Sequence, residues 1–249
     1  MIAESIVRIL TISVYAAIVI PIILILVAKL KFKVSMKSLL FGMLAFLLFS
    51  QILMNVILTL FFSTEATRSL FGEGILYVLI IAITGAVVVE IGRFLTLKYM
   101  LKKERNEKAA LGFGVGFSSL ETVLVLGFTS VSMLTAAVMM NEGLFEDQAL
   151  ADQLMTVSTG FIVFGVLEQL FSIVVHIALS LFILYAIASE NKKYVYYAIA
   201  FHIAFAVPGL LYQQEIITSL VISQLMMAVI ALCTCWLAKR YYQELKTSG

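Results

Sequence analysis

The sequence predicts an all-α polytopic membrane protein with about seven transmembrane helices, and three observations carry that expectation. Its 249 residues are 62% hydrophobic and only 13% charged, where soluble domains are about a quarter charged. Its mean hydropathy is +1.08. Seven apolar stretches each reach the roughly 20 residues that a helix needs to cross a hydrocarbon core of about 30 Å. No Pro/Gly/Ser-rich linker or charge block interrupts the chain, which therefore reads as a single transmembrane domain over residues 1–249. A net charge of +2 gives no support for a nucleic-acid partner. The expected surroundings are a lipid bilayer.

The seven stretches cover about residues 6–28, 38–62, 75–97, 109–140, 155–188, 194–213 and 216–238. The apolar run of the first, Ile9 to Ala28, is longer than a signal-peptide core and has no clear small-residue cleavage pattern after it, so it is expected to be a retained span. The fourth and fifth exceed one perpendicular crossing, which leaves room for tilt, a break or a re-entrant piece. The two cysteines, Cys233 and Cys235, lie two apart in the last span with no partner set for a disulfide or a metal site. They read as small buried or lipid-facing side chains.

Lys and Arg accumulate in short cytoplasmic loops, so their distribution predicts orientation. Fourteen of the 17 follow spans one, three, five and seven: Lys29, Lys31, Lys33, Lys37, Lys98, Lys102, Lys103, Arg105, Lys108, Lys192, Lys193, Lys239, Arg240 and Lys246. The opposite loops hold only Arg68 and the acidic segment NEGLFEDQALAD. This pattern puts the N-terminus outside and the C-terminus in the cytoplasm. Arg8 sits near enough to the outer end to snorkel, whereas Arg93 lies within the third span.

Ionisable residues inside the spans are few: Glu90 and Arg93 on the third, Glu121 on the fourth, Glu168 and His176 on the fifth and His202 on the sixth. A charge at a helix centre costs about 2.5–3.5 kcal/mol on insertion scales, so such residues face one another or water. Counted from the cytoplasmic ends, Glu90, Glu121, His176 and His202 lie roughly 12–18 Å deep at 1.5 Å per residue. They share one layer on four consecutive helices. Glu168 is two turns further out and is expected outside the immediate site.

Glu90 and Arg93, at i, i+3, share a helix face on which the guanidinium holds the carboxylate or ties the span to a neighbour. Gly112 and Gly116 form a small-xxx-small face that admits a helix backbone. Nearby, Ser118 and Ser119 would supply hydroxyls to a wet pocket beside Glu121. Ser172, His176 and Ser180 recur at i, i+4, i+8 as a polar stripe. Gln51 with Asn55, and Gln169 and Gln224, read as bridges between helices.

Glu90-Ile-Gly-Arg93, Phe117-Ser-Ser-Leu-Glu121 and His176-Ile-Ala-Leu-Ser180, on three successive spans, resemble the ordered motifs of the CPBP and PrsW-like intramembrane proteases, the superfamily of the CAAX prenyl endopeptidase. The bacterial YhfC-like branch is the nearest in pattern, with its glycine-rich approach to the second-motif glutamate and a further histidine, here His202. The resemblance covers about residues 75–213 and makes spans three to six the polar-cored catalytic bundle. It implies a bacterial plasma-membrane protein that hydrolyses peptide bonds of membrane-embedded or membrane-adjacent substrates in the cytoplasmic half of the bilayer. Glu90 would activate water, Glu121 would position it, and Arg93, His176 and Ser180 would complete the site, His176 facing the oxyanion. Two departures stand out: Val89 takes the place of a second glutamate, and Ser180 that of the usual Asn or Asp.

Zinc is the other means of activating that water, with His176, His202 and Glu121 as ligands beside Glu90. On the sequence alone the metal-free and zinc-assisted mechanisms both stand. So do a proton-coupled transporter, in which Glu168 would be essential, a scaffold that has lost catalysis, and bis-histidine haem ligation by His176 and His202. The carboxylates in the same layer argue against an apolar haem pocket.

Overall fold

The computed structural model describes residues 2–104, 106–144 and 154–247. The fold is built on seven long apolar helices, with shorter helical segments between them and no strand among the described residues. In chain order they are α1 (Glu4–Leu30), α2 (Met36–Phe61), the short α3 (Glu65–Phe71), α4 (Gly74–Met100), α5 (Glu107–Asn141), α6 (Thr159–Ala188), α7 (Lys193–Gln213) and α8 (Leu220–Thr247). The seven long helices match the expected spans. α3 carries no hydropathy signal and starts at a Thr64 side-chain cap on the Thr67 N–H.

Neither long span breaks. α6 is one continuous helix, and α5 continues through a π-helical turn at Thr122–Gly127, directly after Glu121. Two further π-helical stretches, Phe46–Leu53 and Thr96–Met100, interrupt α2 and end α4.

The two ends of the bundle are tied differently. At the end bearing the N-terminus, Asn141 Oδ1 accepts from the Ile2 N–H at 2.7 Å and Gln214 Oε1 from the Gly74 N–H at 2.7 Å. Gly74 has φ +67°, a conformation that glycine adopts without Cβ strain. At the basic end, the Ser35 hydroxyl donates to Glu104 at 2.5 Å and Lys37 pairs with the same carboxylate at 3.9 Å. Arg105 and residues 145–153, which hold most of the acidic segment, lie outside the described residues. Arg8 pairs with Glu4 at 2.7 Å on the exposed surface.

α6 is the central helix, with Val175, Leu179, Phe182 and Ile183 fully enclosed. Lipid tails are as apolar as leucine, so close packing rather than water exclusion must hold helices against it. Glycines on α5 provide that closeness on two faces. A Cβ at Gly112 would strike Ser38 and one at Gly116 the Leu39 carbonyl, both on α2, while one at Gly114 would lie 2.7 Å from Ile177 Cα on α6. The expected small-residue face is thus used, with Gly114 adding a second. Cys233 and Cys235 are free and exposed on the lipid-facing surface. Asn55 departs from its expected role: its amide donates to Gln51 O of its own helix at 2.5 Å and does not bridge helices.

Candidate functional site

The four residues expected in one layer do meet. His176 Nε2 is 3.3 Å from Glu121 Oε2, His202 Nδ1 is 2.8 Å from Glu90 Oε1, and the two imidazoles cross edge to face with centroids 5.3 Å apart. Four helices, α4 to α7, each contribute one member. Phe117, one turn before Glu121, packs on His176 at 4.5 Å.

Arg93 organises this group. Its Nε donates to Glu90 Oε2 at 3.0 Å, and Nη2 donates to Glu90 Oε1 at 3.3 Å and to His176 Nδ1 at 2.9 Å. Nη1 donates to the His176 carbonyl at 2.7 Å and to Ser180 Oγ at 2.5 Å. A guanidinium has five N–H donors and no acceptor, so every donor of this fully buried side chain is used. The Phe113 and Phe117 rings flank it at 5.6 and 5.1 Å. Ser180, whose hydroxyl donates to the His176 carbonyl at 2.7 Å, is a strut behind the layer and does not face open space.

These contacts assign both imidazole tautomers. Because arginine only donates, His176 Nδ1 must accept, and the ring proton of the neutral imidazole lies on Nε2, towards Glu121. His202 has the opposite sense: its Nδ1–H donates to the Glu90 carboxylate, which in a neutral ring leaves the lone pair on Nε2.

A cavity of about 280 Å³ opens beside the layer, lined by Glu121, His176 and His202 together with Ser172, Gln169 and Glu168. Glu121 and His202 are 17% and 15% exposed; Glu90 is 0% exposed and does not reach it. The Ser172 hydroxyl donates to both Glu121 oxygens, at 3.2 and 3.1 Å. Ser118 and Ser119 do not supply hydroxyls here: Ser118 donates back to the Gly114 carbonyl at 2.9 Å, and Ser119 is buried away from the cavity. Glu168, expected outside the site, lines its wall. The sequence holds a signal for it, since Glu168, Ser172 and His176 follow one another at i, i+4, i+8 on one helix face.

The comparisons with known proteins bear on the same residues. The sequence profile of the YhfC intramembrane metalloprotease family matches residues 16–230, which contain the whole layer. The chain belongs to that family. The uncharacterized membrane protein YhfC of Bacillus subtilis (strain 168) is 31% identical, across 98% of this chain and 100% of its own length. No solved structure matches. With its seven apolar helices and this relative, the YhfC-family chain is an integral membrane protein.

The family description implies a metal, and the donor set can be tested against it. A catalytic zinc takes three protein ligands with free lone pairs. The Arg93 contact gives His176 Nε2 a proton in place of a lone pair, and Glu90 is occupied by Arg93 and His202. Among the described residues no three His, Cys, Asp or Glu side chains converge on one point. In this arrangement the YhfC-family site therefore does not fit a zinc ion.

Proposed function

We propose that the chain is an intramembrane peptide hydrolase that activates water without a metal, with Glu121 as the base. The observation that carries this reading is the pair of carboxylate–imidazole couples, Glu121–His176 and Glu90–His202, of which Glu121, His176 and His202 line the cavity while Glu90 lies buried behind His202. A water there donates one hydrogen to Glu121 and the other to His202 Nε2, which Glu90 and Arg93 hold in orientation. Its oxygen lone pairs then face a substrate carbonyl carbon.

As the water oxygen bonds to that carbon, one water proton moves to Glu121. Neutralising Glu121 loosens its hold on the His176 Nε2–H, and that donor turns to the developing oxyanion. Collapse breaks the C–N bond, and the proton on Glu121 passes to the departing nitrogen. The products are a carboxylic acid and an amine, with the atoms of one water accounted for. In this reading Glu90 is a positioning residue. The base role expected for Glu90 passes in this reading to Glu121, because Glu90 is fully buried against Arg93 and His202 and does not line the cavity, whereas Glu121 does.

The test is cleavage of a quenched membrane-peptide library in proteoliposomes by wild type, Glu121→Gln and Glu121→Asp. Hydrolysis that fails with Gln and partly returns with Asp is expected. Hydrolysis undiminished in Glu121→Gln would overturn the assignment, and none by wild type across the library would overturn the hydrolase reading.

A further inference from the structure

The cavity extends from the layer in one direction only. On α4 it is lined by Ile81 to Ala86, before Glu90; on α5 by Val125, after Glu121; on α6 by Glu168 to Ser172, before His176; and on α7 by Phe205 to Gln213, after His202. Antiparallel neighbours make all of these displacements point the same way, towards the end bearing the N-terminus and the Gly74–Gln214 contact. Exposed Gln213, the last residue of α7, marks the mouth. The opposite direction is closed: Arg93, Phe113, Phe117 and Ser180 are buried to 2% exposure or less, and Gly114 lies against the α6 backbone.

The wall of this passage carries unmatched polar groups. Arg93 is committed to Glu90, and His176 accepts from Arg93, so Glu121 and Glu168 put two acidic side chains on a cavity wall that no described lysine or arginine lines. No cation lies within 4 Å of Glu168 among the described residues; its carboxylate faces the Gln224 amide and the space left by Gly209. Beside it, Gln169 lines the same cavity, is only 7% exposed, and its Nε2 has no hydrogen-bond partner. A buried amide donor left unpaired costs about 1–3 kcal/mol, and a carboxylate at this depth without a countercharge costs more. One ligand satisfies both: a peptide whose carbonyl accepts from Gln169 and whose ammonium group meets Glu168.

We propose that substrate reaches the site from the end bearing the N-terminus, which the charge distribution puts outside, and that Glu168 and Gln169 select a peptide carrying a primary ammonium group. The inference rests on the hydrolase reading for the fate of that peptide. Glu168 and His176 are eight residues apart on α6, about 12 Å along the helix. An extended peptide covers that in about three to four residues, which sets the spacing between ammonium and scissile bond. Either a lysine side chain or a free α-amino group would serve.

Two measurements test it. The first is binding to the Glu121→Gln variant of fluorescent apolar peptides that carry one lysine, the same lysine ε-acetylated, or a free or acetylated N-terminus. At least about tenfold tighter binding of a free-amine form is expected, falling to near parity when Glu168→Gln is added and surviving Glu168→Asp. Parity in Glu121→Gln itself, or a preference unchanged by Glu168→Gln, overturns the proposal. Selective binding with no cleavage by wild type would sink the hydrolase reading alone; cleavage without amine preference would sink this proposal alone.

The second measurement uses a Cys233→Ser, Cys235→Ser background with Gln213→Cys, reacted with a membrane-impermeant maleimide on intact cells and inverted vesicles. Labelling is expected from the same side as Ser63→Cys, with protection by the lysine peptide. Labelling from the side of Lys103→Cys overturns it.

Discussion

Arg93 Nη2 donates to His176 Nδ1 across 2.9 Å, and this one contact decides what the imidazole shows to the cavity. A ring that accepts at Nδ1 presents N–H at Nε2 and is a hydrogen-bond donor. His202, which donates its Nδ1–H to Glu90, presents a lone pair. The chain has only two histidines, so a 15N-histidine spectrum of the purified protein contains just these two rings. It should show one Nε2–H and one Nδ1–H tautomer, with the Nδ1–H signals vanishing in His202→Gln. Two rings of the same tautomer would remove the basis of the donor and acceptor roles.

Replacing Arg93 by lysine keeps the charge and discards the fork. An ammonium has three donors where the guanidinium has five, so buried acceptors on Glu90, His176 or Ser180 go unpaired, at about 1–3 kcal/mol for each. Arg93→Lys is expected to fold with a lowered Tm in detergent and to lose at least about tenfold in kcat with little change in KM. Wild-type kcat in Arg93→Lys would show that the clamp is structural only.

Much of this layer is legible in the amino-acid sequence. Helical rise and span limits set depth, and depth alone brings Glu90, Glu121, His176 and His202 together. Depth does not set azimuth: Glu90 and Glu121 share a height, yet one is sealed behind Arg93 and His202 while the other borders open space. Ser118 and Ser119 miss the cavity for a different reason: it extends from Glu121 towards Val125 along α5, away from both serines. Depth also argues against Glu168, although its face points at His176, because a long cavity admits residues at several heights.

The two carboxylates should separate by what fails first. Glu90→Gln leaves the Arg93 charge buried without a countercharge, and breaking a buried pair in this way costs about 3–5 kcal/mol. Its loss should appear as a large fall in thermal stability. Glu121 is partly exposed and held by the Ser172 hydroxyl, so Glu121→Gln should keep Tm within a few degrees and reduce kcat by about 10²–10⁴, the usual worth of a general base. Reversed phenotypes would return the base to Glu90.

Metal content gives an independent reading of the tautomers. Protein purified without chelators is expected to carry far less than one zinc per chain, and treatment with a chelator should leave cleavage unchanged. Stoichiometric zinc lost in His202→Ala, with activity restored by added zinc, would mean that His176 turns away from Arg93 to bind it. The family's description as metalloproteases would then hold for this chain in detail.

The closed end of the cavity depends on helix backbones in contact, and that too can be measured. At Gly116 an added methyl would collide with the Leu39 carbonyl of α2, whereas at Gly165 on α6 it would meet nothing within 4 Å. A backbone carbonyl cannot swing aside like a flexible side chain, so Gly116→Ala must push α2 off α5, with an overpacking cost of about 1–3 kcal/mol. Gly165→Ala should be neutral or stabilising by up to about 1 kcal/mol, from helix propensity alone. Thermal unfolding in detergent compares the two directly. If the seal at the basic end is what confines access to the other, Gly116→Ala should also make Lys103-side maleimide reach a cysteine placed at Ser180, which wild-type packing shields completely.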